Sequence, residues 1–189
     1  MILLGRGDSR KYFVRLKHFT LNEFTVECNG WEASPDVIAA GDVTWIKDNI
    51  EALKVLKIPI LTRKVPVLER FKNEIDFIEL PNDVVKRARL TGMMAAWAMN
   101  KLADKLKDNV YAIGMDGTLT HFDGTSPGTY KAPISAYSRL NLKHIKTLGP
   151  NNVTGWEKVN SIPDRAKLPA DKDIYLTELK EIAKNWGKR

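Results

Sequence analysis

The sequence predicts an α/β protein with a single, mostly parallel sheet and helices on both of its faces. Short apolar runs bounded by turn residues alternate with longer segments of helical periodicity, which is the order of elements in a sheet whose strands are joined through helices. Several of the apolar runs are uninterrupted, as in parallel strands that are buried on both faces. A chain of 189 residues is long enough to bury such a core without disulfide bonds.

Six strands are predicted from the short apolar runs. Most of these runs lie next to Gly, Asn, Asp or Pro, which are the residue types that bound strands. The predicted strands are residues 1–4, 24–28, 37–40, 59–62, 75–79 and 110–113.

The clearest predicted helix covers residues 88–106. Its apolar residues, among them Leu90, Met94 and Trp97, recur at spacings of three and four, while lysines mark the opposite face. The segment 114–133 is rich in Gly, Thr, Asp, Ser and Pro and predicts a long loop, a kind of segment that is often functional. Further helices are predicted at residues 9–17, 43–56 and 174–186.

The charge balance favours a polyanionic partner. The chain has 30 Lys and Arg against 23 Asp and Glu, a net charge of +7, which suits nucleic acid or phosphorylated ligands. The excess is spread along the chain without a basic tail, so a lysine-rich solvated surface is the alternative interpretation.

Cysteine usage and hydropathy indicate a cytoplasmic protein. Cys28 is the single cysteine, which excludes an internal disulfide and a cysteine-rich zinc site. No apolar run approaches the roughly 20 residues of a membrane span, and the apolar start at residues 1–4 is too short for a signal peptide. We therefore expect a cytoplasmic location without membrane contact.

The first candidate site is the turn Gly5-Arg6-Gly7-Asp8-Ser9, directly after the opening strand. Glycines there allow the backbone to approach a ligand closely, and the predicted helix that follows offers free N–H groups to a phosphate. The alternative is a tight strand-to-helix turn capped by Asp8 or Ser9.

The second candidate site is the segment 113–118, Ile-Gly-Met-Asp-Gly-Thr, at the end of a predicted strand. It superficially resembles the Asp-x-Asp-Gly-Thr motif of haloacid dehalogenase-like phosphatases. Gly114 stands where the nucleophilic Asp would be, so phosphoryl-enzyme chemistry is excluded. Because ligands of open α/β sheets bind at the carboxyl ends of strands, Asp116 stays a candidate contact, with a turn-capping carboxylate as the alternative.

The third candidate is Thr91-Gly92, near the start of the long predicted helix. A hydroxyl followed by glycine can contact the phosphate or sugar of a ligand there, although an ordinary helix start with close packing explains the same residues. Asp116, His121 and Asp123 are the best metal-ligand candidates, but no further ligands stand at a recognisable spacing, so no metal site is predicted.

Taken in chain order, these pieces resemble the bacterial sialyltransferase-like glycosyltransferases and the related motility accessory factor proteins. That family has a strand with a Gly-x-Gly-x-Ser turn, a strand ending in Asn, and a strand leading to a polar residue. A Thr/Ser-Gly before a long apolar helix follows, then a strand ending in Gly-x-Asp and a late strand with a Pro-x-Ser-like turn. The similar segments here are 3–9, 26–29, 39–42, 91–98, 113–116 and 159–165.

The resemblance implies a Rossmann-like nucleotide-binding domain over residues 1–168, with a short lid loop at 114–133. Beyond the part that the resemblance covers, the apolar periodicity predicts a C-terminal helix within 169–189 that packs on the same domain. The resemblance also implies a nucleotide-sugar as the donor substrate, with no metal or other cofactor required. The nucleotide-binding residues predicted from the motifs and the resemblance are Gly5, Gly7, Asp8, Ser9, Asn29, Asp42, Thr91, Gly92, Gly114 and Asp116.

Two lid residues are the catalytic candidates. Family members use lid tyrosines to stabilise the leaving phosphate and a histidine as base. In this chain Tyr130 and His121 are the nearest equivalents, with Tyr137 as a further candidate.

The leading hypothesis is a nucleotide-sugar-dependent glycosyltransferase of phage or bacterial origin that acts on DNA or a soluble glycan. Two alternatives stay open. The first is a non-catalytic nucleotide-binding or sequestering protein of the same fold, and the second is a basic nucleic-acid-binding module.

Overall fold

The computed structural model describes most of the predicted sheet and three of the predicted helical segments. The described residues are 1–7, 10, 23–81, 90–115, 140, 142–148, 156–162 and 171–185. The strands are β1 (Ile2–Leu4), β2 (Thr25–Cys28), β3 (Val37–Ala39), β4 (Ile60–Arg63), β5 (Phe77–Leu80), β6 (Val110–Ile113), β7 (Ile145–Leu148) and β8 (Glu157–Val159). The helices are α1 (Val43–Asp48), α2 (Ile50–Leu56), α3 (Thr91–Leu106) and α4 (Lys172–Asn185), with a 3₁₀ helix at Pro66–Phe71.

The strands form one sheet in the order β5-β4-β3-β2-β1-β6-β7-β8, and every neighbouring pair is parallel. This confirms the predicted α/β class and the Rossmann-like arrangement. The chain builds the sheet outward from β1 to β5 and then returns to place β6 on the other side of β1. The strand order therefore reverses between β1 and β6, and the carboxyl ends of these strands flank the crevice in which open α/β sheets bind ligands.

Helices cover both faces of the sheet. On one face α3 and α4 pack with the inward side chains of β1, β2, β3 and β6 in the largest core cluster. On the other face α1, α2 and the 3₁₀ helix cover the alternate residues of β3 and β4, including Ile38 and Ile60. The period of two in these strands sends successive side chains to opposite clusters.

The helix α4 is fastened to the sheet by polar and aromatic contacts. The Tyr175 hydroxyl donates a hydrogen bond to Asp108 Oδ2 at 3.0 Å. Its ring stacks on Phe24 with the ring centroids 5.5 Å apart. Leu179 is fully buried in the same cluster, so α4 is part of the core on this face. No helix among the described ranges is both long and apolar enough to cross a bilayer.

The predicted elements that fall on described residues are found with three differences. All six predicted strands are present, with β5 shifted to residues 77–80, and β7 and β8 are additional strands that the periodicity did not predict. The helix predicted at 43–56 is two helices that meet at Asn49, where the backbone leaves the helical region (φ −109°, ψ 11°). The Asn49 amide side chain donates to the Trp45 carbonyl at 2.8 Å, which competes with continuation of the helix. The helix predicted at 9–17 lies outside the described residues, apart from Arg10.

Candidate functional site

The predicted site residues follow the carboxyl ends of neighbouring strands. Gly5 and Gly7 come after β1, Asn29 after β2, Asp42 shortly after β3 and Gly114 after β6. Because the strands are parallel, these residues lie along one edge of the sheet, which we call the carboxyl edge.

Gly5 and Gly114 pack against each other at the reversal point between β1 and β6. The Gly5 N–H donates to the Ile113 carbonyl at 2.7 Å, and the Gly7 N–H donates to the Gly114 carbonyl at 2.6 Å. A Cβ on Gly5 would lie 2.2 Å from the Gly114 oxygen, and Gly114 itself has φ +73°. Both glycines are therefore required by close approach of the two chain segments, a reason independent of any ligand.

Thr91 joins three elements at the carboxyl edge. Its Oγ1 accepts a hydrogen bond from the Gly41 N–H at 2.9 Å and donates one to Asn29 Oδ1 at 3.5 Å. Thr91 is the first residue of α3, so these bonds place the start of that helix against the ends of β2 and β3. The first N–H groups of a helix have no carbonyl partner in the preceding turn, and Leu90 provides no side-chain cap. The result is a helix start beside a polar edge, the arrangement that binds anionic groups in many nucleotide sites.

Asn29 adopts a left-handed backbone with φ +48°. Its N–H donates to the Ala39 carbonyl at 2.9 Å, and its own carbonyl accepts from Arg6 Nη1 at 3.4 Å. Asn tolerates this conformation better than most residues, which explains its presence at a sharp turn after β2. Its side chain is thereby directed to Thr91 rather than along the strand.

Asp42 caps α1 and Gly92 lies in the first turn of α3. Asp42 Oδ1 accepts from the N–H groups of Thr44 at 2.9 Å and Trp45 at 3.4 Å. This is the role of an N-terminal capping residue, and Asp42 is exposed at the carboxyl edge. A nucleotide contact by either residue stays a prediction.

Several predicted site residues lie outside the described ranges. The predicted catalytic residues His121 and Tyr130, the alternative Tyr137, and the predicted nucleotide contacts Asp8, Ser9 and Asp116 are in this group. Within the ranges that are described, no cluster of three or more His, Cys, Asp or Glu residues is arranged as a metal site.

Glu27 is a buried acid that the sequence prediction passed over. It is 2 % exposed in the middle of β2, and its Oε1 lies 2.5 Å from Arg10 Nη2. Burial, followed by the hydrogen bond with Glu32, raises the pKa of Glu27 to about 7. The available signal was a single charged residue inside an otherwise apolar strand, which is uncommon unless the charge is paired.

The net positive charge does not come from the described part of the chain. That part holds 18 Lys and Arg and 18 Asp and Glu, so the chain's net +7 derives from the remaining residues. Many of its lysines are paired with carboxylates, among them Lys54 with Glu74 at 2.9 Å and Lys180 with Asp76 at 2.6 Å. The described part therefore adds no net positive charge that would favour binding to nucleic acid.

Comparison of the chain with models of protein families, with curated proteins and with solved structures finds no match.

Proposed function

We propose that this protein is a nucleotide-sugar-dependent glycosyltransferase that binds its donor at the carboxyl edge of the sheet. The observation that supports the proposal is the linkage of Thr91 at the start of α3 to Gly41 and Asn29. It gathers a hydroxyl, an amide side chain and a helix start at the ends of β2 and β3. This is the same edge of the sheet as the point between β1 and β6 where the strand order reverses, and nucleotide ligands bind at that edge in folds of this class. Glycosyl transfer in particular is supported by the order of motifs along the chain.

The reaction breaks the bond between the sugar's anomeric carbon and the phosphate oxygen, and forms a bond from that carbon to an acceptor hydroxyl oxygen. The leaving phosphate is stabilised by proton donation or hydrogen bonding from Tyr130 or His121, while a base takes the proton of the acceptor hydroxyl. The N–H groups at the start of α3 stabilise negative charge on the phosphate.

The proposal is tested with a panel of labelled cytidine, uridine, guanosine and thymidine nucleotide sugars. We expect one of them to bind, and to be hydrolysed or transferred, with the binding weakened in Thr91→Val. Tyr130→Phe and His121→Gln should keep the binding and lower the turnover. His144→Gln is the matched control, because His144 precedes β7 at the opposite edge of the sheet.

Two results would overturn the proposal in different ways. Binding without hydrolysis or transfer of any donor would leave a nucleotide-binding protein and remove the enzyme. No binding of any nucleotide sugar would remove the site as well.

DNA is the acceptor that the charge distribution favours. The residues outside the described ranges hold 12 Lys and Arg against 5 Asp and Glu, and they include Lys86, Arg87 and Arg89, which precede α3 in the chain. Replacing these three residues by Gln should weaken DNA binding. It should also reduce the slope of the logarithm of the binding constant against the logarithm of the salt concentration, by up to about 1 for each lost phosphate contact.

The control for DNA binding carries the same change in charge. In this control, Gln replaces three lysines that are among the described residues, Lys57, Lys64 and Lys107. An equal loss of DNA binding in both triple variants, or binding that salt does not weaken, would count against a DNA acceptor and favour a soluble glycan.

A further inference from the structure

Two carboxyl groups meet beneath the turn between β2 and β3. Glu27 is buried in β2, whereas Glu32 belongs to an exposed position in the turn. The Glu27 carboxyl is held from two other sides, by Arg10 Nη2 at 2.5 Å and by the Ala33 N–H at 3.0 Å. The buried acid therefore anchors the segment 30–33 at Ala33.

Gly30 leaves the space in which the two carboxyl groups come together. A Cβ at Gly30 would lie 2.5 Å from Glu32 Oε2 and 2.9 Å from Glu27 Oε1. Both oxygens thus lie beside the same point, so the two carboxyl groups are neighbours. Because ionised carboxylates only accept hydrogen bonds, a hydrogen bond between the two requires one proton held by the pair. Two like charges at this distance oppose each other, so loss of that proton disfavours the contact.

The charged and titratable groups around Glu27 come from several elements. Arg10 pairs with it from the segment after β1, and Arg6, two residues beyond the end of β1, acts together with Arg10 on Glu32. Cys28 follows it in β2 and is buried, and burial raises the pKa of its thiol to about 12, so the thiol stays neutral through the physiological range.

Two causes favour the protonated form of Glu27. Burial first, and then the hydrogen bond with Glu32, raise the pKa of Glu27 to about 7 against the opposing charge of Arg10. The hydrogen bond with Glu27 is the largest cause of the lowered pKa of Glu32. The strand residues on either side of Glu27, Leu4 and Ile38, are apolar and contribute no charge.

The turn between β2 and β3 also contains Asn29, which lies at the carboxyl edge of the sheet. Asn29 starts the turn, its carbonyl accepts from Arg6, and its side chain accepts from Thr91. Glu32 is thus three residues from Asn29, the residue whose side chain is bonded to Thr91 at the start of α3. Trp31 lies between Asn29 and Glu32 in the chain, and its ring packs on that of Trp45 with the ring centroids 5.7 Å apart.

We propose that Glu27 and Glu32 form a proton-operated clasp on residues 29–33. While the pair holds its proton, Glu32 is bonded to the buried acid and the turn is closed over β2. Loss of the proton releases Glu32, loosens the turn and weakens the link from Asn29 to Thr91. The device depends on the fold alone and acts whether or not a nucleotide sugar is the ligand.

Trp31 fluorescence tests the clasp in the purified full chain. A titration from pH 5 to pH 9 should show one transition with a midpoint near the Glu27 pKa of about 7. The transition should be lost in Trp31→Phe, which assigns the signal to the turn. Infrared difference spectra over the same range should show loss of the carbonyl band of a protonated carboxyl group, which separates this titration from that of a histidine.

Glu32→Gln is the decisive variant because the exposed position tolerates the change and Gln can donate to Glu27 without a shared proton. We expect the transition to disappear, or its midpoint to fall by more than one pH unit. Glu51→Gln, at an exposed acid paired with Lys54 on α2, is the matched control and should titrate like the wild type. An unchanged transition in Glu32→Gln, or no transition in the wild type, would overturn the proposal.

Discussion

The Thr91 hydroxyl accepts the Gly41 N–H at 2.9 Å, so the first residue of α3 satisfies a backbone group at the end of β3. These two residues are 50 positions apart in the chain. The bond makes the position of the helix start depend on the sheet.

Thr91→Val should destabilise the protein because it leaves the Gly41 N–H without its acceptor in a partly buried place. A lost hydrogen bond of this kind costs about 1–3 kcal/mol in the free energy of unfolding. Urea denaturation measures the change. Thr91→Ser keeps the hydroxyl and is the control, so equal losses in the two variants would show that the methyl group, rather than the bond, supports this edge.

Gly5→Ala should destabilise more than Gly41→Ala. A Cβ added at Gly5 would meet the Gly114 backbone oxygen at 2.2 Å, and backbone cannot rotate away, whereas a Cβ on Gly41 would lie 3.2 Å from Thr91 Oγ1. Overpacking of this kind costs about 1–3 kcal/mol and sometimes more. Thermal unfolding of the two variants checks the order, and a smaller loss for Gly5→Ala would contradict the close approach of β1 and β6.

The strands were predictable because they contain short apolar runs, and those of β1, β3 and β6 are uninterrupted and buried. β7 was missed because Lys146 and Thr147 break its apolar character, and Lys146 reaches Glu157 on the neighbouring strand instead of entering the core. The division at Asn49 was missed because helical periodicity continues through it from Ile46 to Leu53. Periodicity reports which residues are buried, and it does not report a local break in the backbone.

The candidate site was predictable only in part. Glycines and polar residues after strands could be recognised one by one, because the carboxyl edge is common to all parallel strands. The bond between Thr91 and Gly41 could not be, since it depends on how α3 is placed against β3. The pairing of Glu27 with Arg10 likewise joins residues that are 17 positions apart, and only the packed sheet brings them together.

Asp42→Ala should separate the capping role of this residue from a ligand contact. Loss of the bonds from Asp42 to the N–H groups of Thr44 and Trp45 should cost about 1 kcal/mol of stability. Asp42→Ser keeps a capping oxygen and should recover most of that loss. If Asp42 also contacts a nucleotide, both variants will bind the nucleotide more weakly; if affinity follows stability and recovers in Asp42→Ser, the residue acts as a cap alone.

Thr62→Val should leave stability unchanged or raise it slightly. Thr62 is fully buried in β4, and its hydroxyl has no hydrogen-bond partner among the described residues. Replacing an unsatisfied hydroxyl by a methyl group of the same shape removes a desolvation cost of about 1 kcal/mol. Thr25→Val is the matched control, because the Thr25 hydroxyl donates to the Glu23 carbonyl at 3.0 Å and its loss should destabilise. A clear destabilisation by Thr62→Val would indicate a bound partner for this hydroxyl.

The free energy of unfolding should depend on pH through Glu27. The pKa of this group is raised in the folded state from 4.5 to about 7, so the folded protein holds the proton more tightly than the unfolded chain does. Its contribution is therefore fully present below pH 4.5 and is lost as the pH rises through 7. Glu27→Gln is neutral at every pH and lacks this loss. The variant's free energy of unfolding minus that of the wild type should rise between pH 5 and pH 7 and then level off. The substitution also alters the contact with Arg10, so the test uses the trend of this difference with pH and not its absolute size. Urea denaturation at four pH values measures this difference, and a flat or falling difference would mean that Glu27 remains ionised in the folded protein throughout that range.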